Sequence, residues 1–341
     1  MKPTVHDIAR AAGVSLATVD RVLNDRAGVR EQTRERVAAA MAELGYVRDV
    51  AAANLARRRL YRFEVIAPDN ANPFMQALRR GVGEARRHAA RERMQIALRD
   101  VPAFDEAGIL AALEGALARR PDGLAFVAID SAPVGGLARR LRAAGIGVVT
   151  LVSDLSDGER DHYVGIDNIA AGRTAASLLG RFLRGRGGRV AVVAGSLRLR
   201  DHCERLEGFL SVLGAEFPDL AALPALEGQD AGAEVARRLA PLLPEVVGVY
   251  SLGAGNDGLL AALRGAGARP AVIAHELDTA SIAGLREGRI DAVLAQDPGH
   301  EIRSAIRLLR AHADRLPVIP DQERIRIEIY LRDNLPPEGA P

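Results

Sequence analysis

The sequence predicts an all-α helix-turn-helix head followed by an α/β body of two doubly wound parallel-sheet lobes. Three observations carry this. Two short helical patterns near the N-terminus are separated by a glycine-containing turn. At Tyr61 the pattern changes to strands alternating with amphipathic helices. The charge divides at the same place: residues 1–62 hold 12 Lys and Arg against 7 Asp and Glu, and the remainder 34 against 37. A basic head on a mildly acidic body draws phosphates to the head alone.

Composition excludes several classes. With 341 residues, 48% apolar and 26% charged, the chain suits a soluble protein of two or three domains, and neither a disordered nor a fibrous one. No apolar run approaches the ~18 residues of a membrane helix. The first residues set Asp7, Arg10, Asp20 and Arg21 among apolar positions and leave no secretory core. The single cysteine, Cys203, allows neither an internal disulfide nor a cysteine-based zinc site. A cytoplasmic location is expected.

In the segment VHDIARAAGVSLATVDRVLN (5–24), Val5, Ile8, Ala9 and Ala12 recur at helical spacing. Thr4 and Asp7 form a capping box at its start, and Gly13 ends the helix in the left-handed conformation. Ser15 caps a second helix whose inner face is Val19, Val22 and Leu23. So short a turn forces the helices to cross steeply, and the small Ala9 lets them approach: a helix-turn-helix. A third helix is expected over 31–44, with Val37, Met41 and Leu44 inward, Arg34 and Arg36 outward, and Gly45 as its stop. The alanine-rich AAANLARRR (51–59), capped by Asp49, is too short to be helical alone.

The strings TVHDIARAAGVSLATVDRVLN and VREQTRERVAAAMAELGY resemble the LacI/GalR family of bacterial transcriptional regulators. The resemblance implies a ligand-controlled repressor whose second helix enters the major groove. Leu16, Ala17 and Arg21 would face base edges, and Thr18 and Asn24 phosphates, with Thr4 and Ser15 also at the DNA. Arg21 is the only long donor on that helix's exposed face, suited to a bidentate contact with guanine. Asn54 and Leu55 fall where the family's hinge helix wedges a leucine into a minor-groove step; the alternative for Leu55 is packing on its own domain. Two departures stand out: Asp20 replaces the usual serine, and Arg48 a proline. The implied boundaries are a head at 1–48, a hinge at 49–60 and a body at 61–335. The body's lobes lie near 61–165 and 185–295, with late crossovers. One helix-turn-helix reads half a site, so a homodimer on a palindromic operator is expected.

In the body, RFEVIAPD, MQIALRD, DGLAFVAID, GVVTLVSD and HYVGID make one set of strands. GRVAVVAGS, VVGVYSL, AVIAHE and AVLAQD make a second. The series resembles the type I periplasmic sugar-binding fold that the family uses as its regulatory domain. Open α/β sheets bind ligands beyond the carboxyl ends of their strands. Strand ends supply Asn72, Phe74, Asp130 and Ser153 from the first lobe and Arg205, Asn256, Glu276 and Gln296 from the second. Carboxylates, amides and a guanidinium around an aromatic ring make a site for a small sugar or polyol. The ribose-binding branch matches at NPF, at Arg205, at the acid of AHE and at the glutamine of AQDP. It fails at TLVSD, where Val152-Ser153 replaces Asp-Arg, and Glu276 replaces an aspartate. For each candidate the alternative is an ordinary loop or capping residue.

A competing motif is GAGNDG (253–258), a G-x-G-x-x-G between a strand and a helix, with Glu276 ending the next strand. It would make the chain a nicotinamide-dinucleotide-binding redox regulator or a dehydrogenase. Its mid-body position and Asp257 beside the pyrophosphate weigh against it, as does the sugar-site account of the same loop. Asp201-His202-Cys203-Glu204 is expected to be an exposed helix start, since consecutive residues point around a helix. The histidines are scattered without catalytic spacing; no enzyme activity, cofactor or metal is expected.

Overall fold

Residues 3–23, 26–46, 59–156, 158–229, 231–253 and 255–337 are described by a computed structural model, and the chain divides into two units, Met1–Arg59 and Leu60–Pro341. Among its described residues the first holds three helices, α1 (Val5–Ala12), α2 (Leu16–Leu23) and α3 (Glu31–Glu43). The Asp7 carboxylate accepts from the Thr4 amide and hydroxyl, at 2.9 and 2.8 Å. Gly13 takes φ +61° at the C-terminus of α1. Ile8, Val19 and Val37 close a core from which water is excluded, with Ala12 and Ala40 beside them. One expectation is corrected. Arg36 does not simply face outward: its guanidinium donates to the carbonyls of Ala12 and Gly13, because α3 passes where α1 leaves its last carbonyls without partners.

The second unit opens with β1 (Tyr61–Pro68), α4 (Pro73–Ala89), β2 (Met94–Val101), α5 (Glu106–Arg119), β3 (Gly123–Val127), α6 (Ala132–Ala143), β4 (Gly147–Leu151) and β5 (His162–Val164). These strands form a parallel sheet in the order β2-β1-β3-β4-β5. After α7 (Asn168–Phe182) come β6 (Gly188–Ala194), α8 (Arg200–Glu216), β7 (Leu220–Ala222), β8 (Leu226–Glu227), α9 (Gly232–Leu239), β9 (Val246–Ser251), α10 (Asn256–Gly265), β10 (Ala271–His275), α11 (Thr279–Arg286) and β11 (Ala292–Ala295). The chain ends with α12 (Pro298–Asp314), α13 (Pro320–Glu323) and β12 (Glu328–Tyr330). The second sheet runs β12-β11-β10-β9-β6-β7, antiparallel only at β12, with β8 also on β6.

Two helices cross between the lobes. α7 leaves the first sheet but packs on α8 of the second lobe. Their contact is so close that a Cβ on Gly172 would lie 2.0 Å from the Arg205 carbonyl oxygen. α12 follows the last parallel strand of the second sheet and returns to pack on α4, β3 and β4. Each lobe is thus completed by a helix delivered from the other, which fixes the strand ends of both around one cleft.

Candidate functional site

On the head, Ser15 caps α2: its Oγ accepts from the Thr18 amide at 3.2 Å and bonds the Thr18 hydroxyl at 2.9 Å. Leu16, Ala17 and Arg21 are exposed on the same helix, Thr18 is half-buried, and Thr4 is exposed at the start of α1. Asp20 lies 3.2 Å from Arg26, so its carboxylate sits beside a cation. Asn24, Asn54 and Leu55 lie outside the described residues.

In each sheet the strand order reverses beside the first strand, at β1/β3 and at β6/β9, and a crevice opens beyond the carboxyl ends there. The cleft is lined by Pro68, Asn72, Phe104 and 127–129 from the first lobe and by Leu199, Asp201 and His202 from the second. Asn72 caps α4 through Oδ1, accepting from the amides of Phe74 and Met75 at 2.9 and 3.3 Å. This leaves Nδ2 as its donor towards the cleft. Phe74 packs into the core beneath α4, and the aromatic ring on the cleft wall is Phe104, which the strand-end reading missed.

Arg205 is the centre of the second-lobe wall. It is 2% exposed; its Nε donates to Asn168 Oδ1 at 2.9 Å and its Nη1 to the Leu252 carbonyl at 2.6 Å. Nη2 lies 3.7 Å from Glu276 and 4.0 Å from Asp201. Gln296 donates to Glu276 at 3.0 Å. Asn256 donates to the His275 carbonyl and to Asp278, both at 2.9 Å. What these bonds leave over is informative. Arg205 Nη2, Asp201 Oδ1, Asn256 Oδ1, Glu276 Oε2, Gln296 Oε1, both Glu301 oxygens and Ser153 Oγ are buried without a hydrogen-bond partner among the described residues. Each such atom costs about 1–3 kcal/mol, and a polar ligand between the lobes would relieve several of them at once.

Electrostatics and backbone agree. Burial pushes the Glu276 carboxyl up to about 7 against the pull of Arg205, and burial followed by the charge of Glu276 pushes Glu301 well above the carboxylate range. Burial holds the His275 imidazole neutral, well below its usual value. Val152 and Glu276, just past β4 and β10, take φ +64° and +68°. Non-glycine residues there are strained, and such strain gathers at binding sites.

Asp130 sits at the mouth of the cleft, accepting from the Ser156 amide at 3.1 Å and pairing with Arg200 of the opposite lobe at 3.2 Å. Asp201 and His202 are not exposed but buried, because Asp201 and Arg205, four apart on α8, share the face turned to the cleft. The glycines of GAGNDG are occupied by the chain itself. A Cβ at Gly253 would lie 2.8 Å from Arg205 Nη1, at Gly255 2.7 Å from Val235, and at Gly258 1.9 Å from the Gly232 carbonyl oxygen. Close packing explains them, and the dinucleotide reading finds no support.

Comparison with known proteins decides the family. Residues 4–49 match the bacterial regulatory proteins of the lacI family, and residues 63–316 a periplasmic binding protein domain. The transcriptional regulator DegA of Bacillus subtilis is 40% identical over 84 residues, a match spanning 25% of either chain. The transcriptional regulator CelR of Thermobifida fusca is 32% identical over 261 residues, 73% of each chain. The chain belongs to the lacI family of bacterial transcriptional regulators. As a LacI-family protein it is a DNA-binding regulator and not an enzyme. Its body superposes on GanP, a glucose-galactose binding protein from Geobacillus stearothermophilus, with TM-score 0.72 and 19% identity, covering 82% of this chain and 99% of that one. That likeness establishes the fold of the LacI-family body. No described helix is long and apolar enough to cross a membrane.

Proposed function

We propose that the protein is a cytoplasmic homodimeric repressor that grips a palindromic operator and is controlled by a small sugar or polyol held between its lobes. The observation that carries the effector is the set of buried, unpartnered polar atoms around Arg205 and Glu276. A polyol brings hydroxyls that donate and accept in fixed geometry, which is what such a set lacks. The sugar named for GanP supports the same class. On the head, Leu16, Ala17 and Arg21 would read bases, with Thr4, Ser15, Thr18 and Asn24 on the backbone. The hinge at 49–60, with Asn54 and Leu55, would link lobe closure to the head. A hundredfold change in operator affinity needs only about 2.7 kcal/mol of coupling.

A thermal-shift screen of sugars and polyols on the full chain, followed by operator binding with each hit, tests this. Arg205→Ala should remove the effector response and leave effector-free operator binding intact. A variant that still responds at the normal effector concentration would place the effector elsewhere.

A further inference from the structure

Three carboxyl groups gather about the guanidinium of Arg205: its Nη2 lies 3.7 Å from Glu276 and 4.0 Å from Asp201, and the charges of Glu276, Arg205 and Asp201 are felt at Glu301. None is more than 7% exposed. Glu301 is the one without an architectural reason. It lies on α12, on the face of Ala305, Leu308 and Leu309, where the helix buries itself. Neither of its oxygens has a hydrogen-bond partner, and it forms no ion pair among the described residues. Carboxylates that merely hold a fold together come with a cation or a set of donors. Glu64 on β1, doubly bonded by Arg119 at 2.7 Å, is such a case in this same chain. Glu301 has no equivalent of Arg119.

The unpartnered atoms are also lopsided in kind. Asn256 Oδ1 and Gln296 Oε1 can only accept, Asp201 Oδ1, Glu276 Oε2 and the two Glu301 oxygens accept once a bound cation ionises those carboxyls, Arg205 Nη2 can only donate, and the Ser153 and Ser251 hydroxyls and His275 Nδ1 serve either way. A sugar acid or sugar phosphate would set further acceptors and negative charge beside three carboxyl groups. Each hydroxyl of a neutral sugar brings one donor and two acceptor lone pairs and no charge, and so leaves the imbalance in place. An ammonium group brings three donors, no acceptor and a positive charge.

We propose that the effector is a polyhydroxylated amine, an amino sugar or amino polyol, and that Glu301, with Glu276, selects it by holding its ammonium group. This rests on the cleft being the effector site. Glu301 is then the residue that separates this ligand from its neutral counterpart, while Arg205, Asn256 and Gln296 hold the hydroxyls that both share.

The test is isothermal titration calorimetry on the full chain. D-glucosamine, D-galactosamine, D-mannosamine and 1-amino-1-deoxy-D-glucitol are each measured beside the neutral sugar or polyol and the matching sugar acid. At least one amine should bind tenfold or more tighter than its neutral partner, and the acids should not bind. Glu301→Gln should cut that margin below threefold. Glu301→Asp, which keeps the charge, should retain a preference for the amine, so a loss caused only by misfolding is distinguishable. A neutral sugar that binds as tightly as its amine, or an amine affinity untouched by Glu301→Gln, overturns the proposal while the sugar cleft stands. Failure of carbohydrates of every charge to bind overturns the cleft reading itself, and this inference with it.

Discussion

Single residues in the cleft are held in states they would not choose in water. Glu276 combines a backbone at φ +68° with a carboxyl pushed up to about 7 by burial. The linkage has a definite sign. The folded protein holds this proton more tightly than the unfolded chain does, so the stability it confers is complete below the ordinary glutamate value. It is lost as pH rises through about 7. At about 1.4 kcal/mol per pKa unit, the whole effect is at most about 3 kcal/mol. In Glu276→Gln the titrating group is gone. Between pH 5 and pH 8 the ligand-free wild type should therefore lose several degrees of Tm more than the variant. Parallel melting curves for the two proteins across that range would show that Glu276 does not titrate there.

At the scale of elements, much of the fold was legible because each signal was local and strong. Thr4 with Asp7, Gly13, Ser15 and Val19 define two helices and a turn within a stretch short enough that no distant contact overrides them. The parallel strands were equally visible as apolar runs between helical patterns. Short strands such as β7, β8 and β12, of two or three residues, were not seen, since runs that brief carry no period. Half of the cleft also escaped. Asp201 reads as an exposed helix start because sequence shows neighbours along the chain, not the face that α8 turns to the cleft. Glu301 did leave a trace, an acid at a core position of an amphipathic helix, and Phe104 left none, lying in the loop after β2 with φ +58°. The head yields a prediction at this scale. Gly13 holds φ +61°, and a Cβ there would come within 3.1 Å of Arg36, whose guanidinium joins α3 to the end of α1. Gly13→Ala should cost the head about 1–2 kcal/mol and weaken operator binding, with effector affinity unchanged. Hydrogen exchange over residues 5–44 reads this directly. Unaltered amide protection there would mean that the turn does not depend on a left-handed glycine.

At the scale of the whole body, closure of the lobes depends on contacts the ligand does not make. Two ion pairs join opposite lobes at the mouth of the cleft: Arg200 with Asp130 at 3.2 Å and Arg198 with Glu106 at 3.8 Å. All four side chains are partly solvated, so each pair contributes no more than about 1 kcal/mol and is screened by salt. Arg200 is also held by Glu204 at 2.7 Å, which orders the guanidinium before the lobes meet and reduces the entropy lost on pairing. If effector binding draws the lobes together, as proposed, these pairs add to effector affinity without touching the effector. Asp130→Asn should then weaken effector binding by about fivefold or less, the equivalent of about 1 kcal/mol. Raising the salt concentration should weaken the wild type towards the variant and leave the variant little changed. The sequence alone placed Asp130 among the ligand contacts, and that alternative makes a different demand. A buried carboxylate bonded to a ligand hydroxyl is not replaced by an amide without a large loss, and salt does not imitate that loss. Titration of wild type and Asp130→Asn at low and high salt therefore separates the two roles. A fall of a hundredfold or more, insensitive to salt, would return Asp130 to the binding site and remove it from the closure of the lobes.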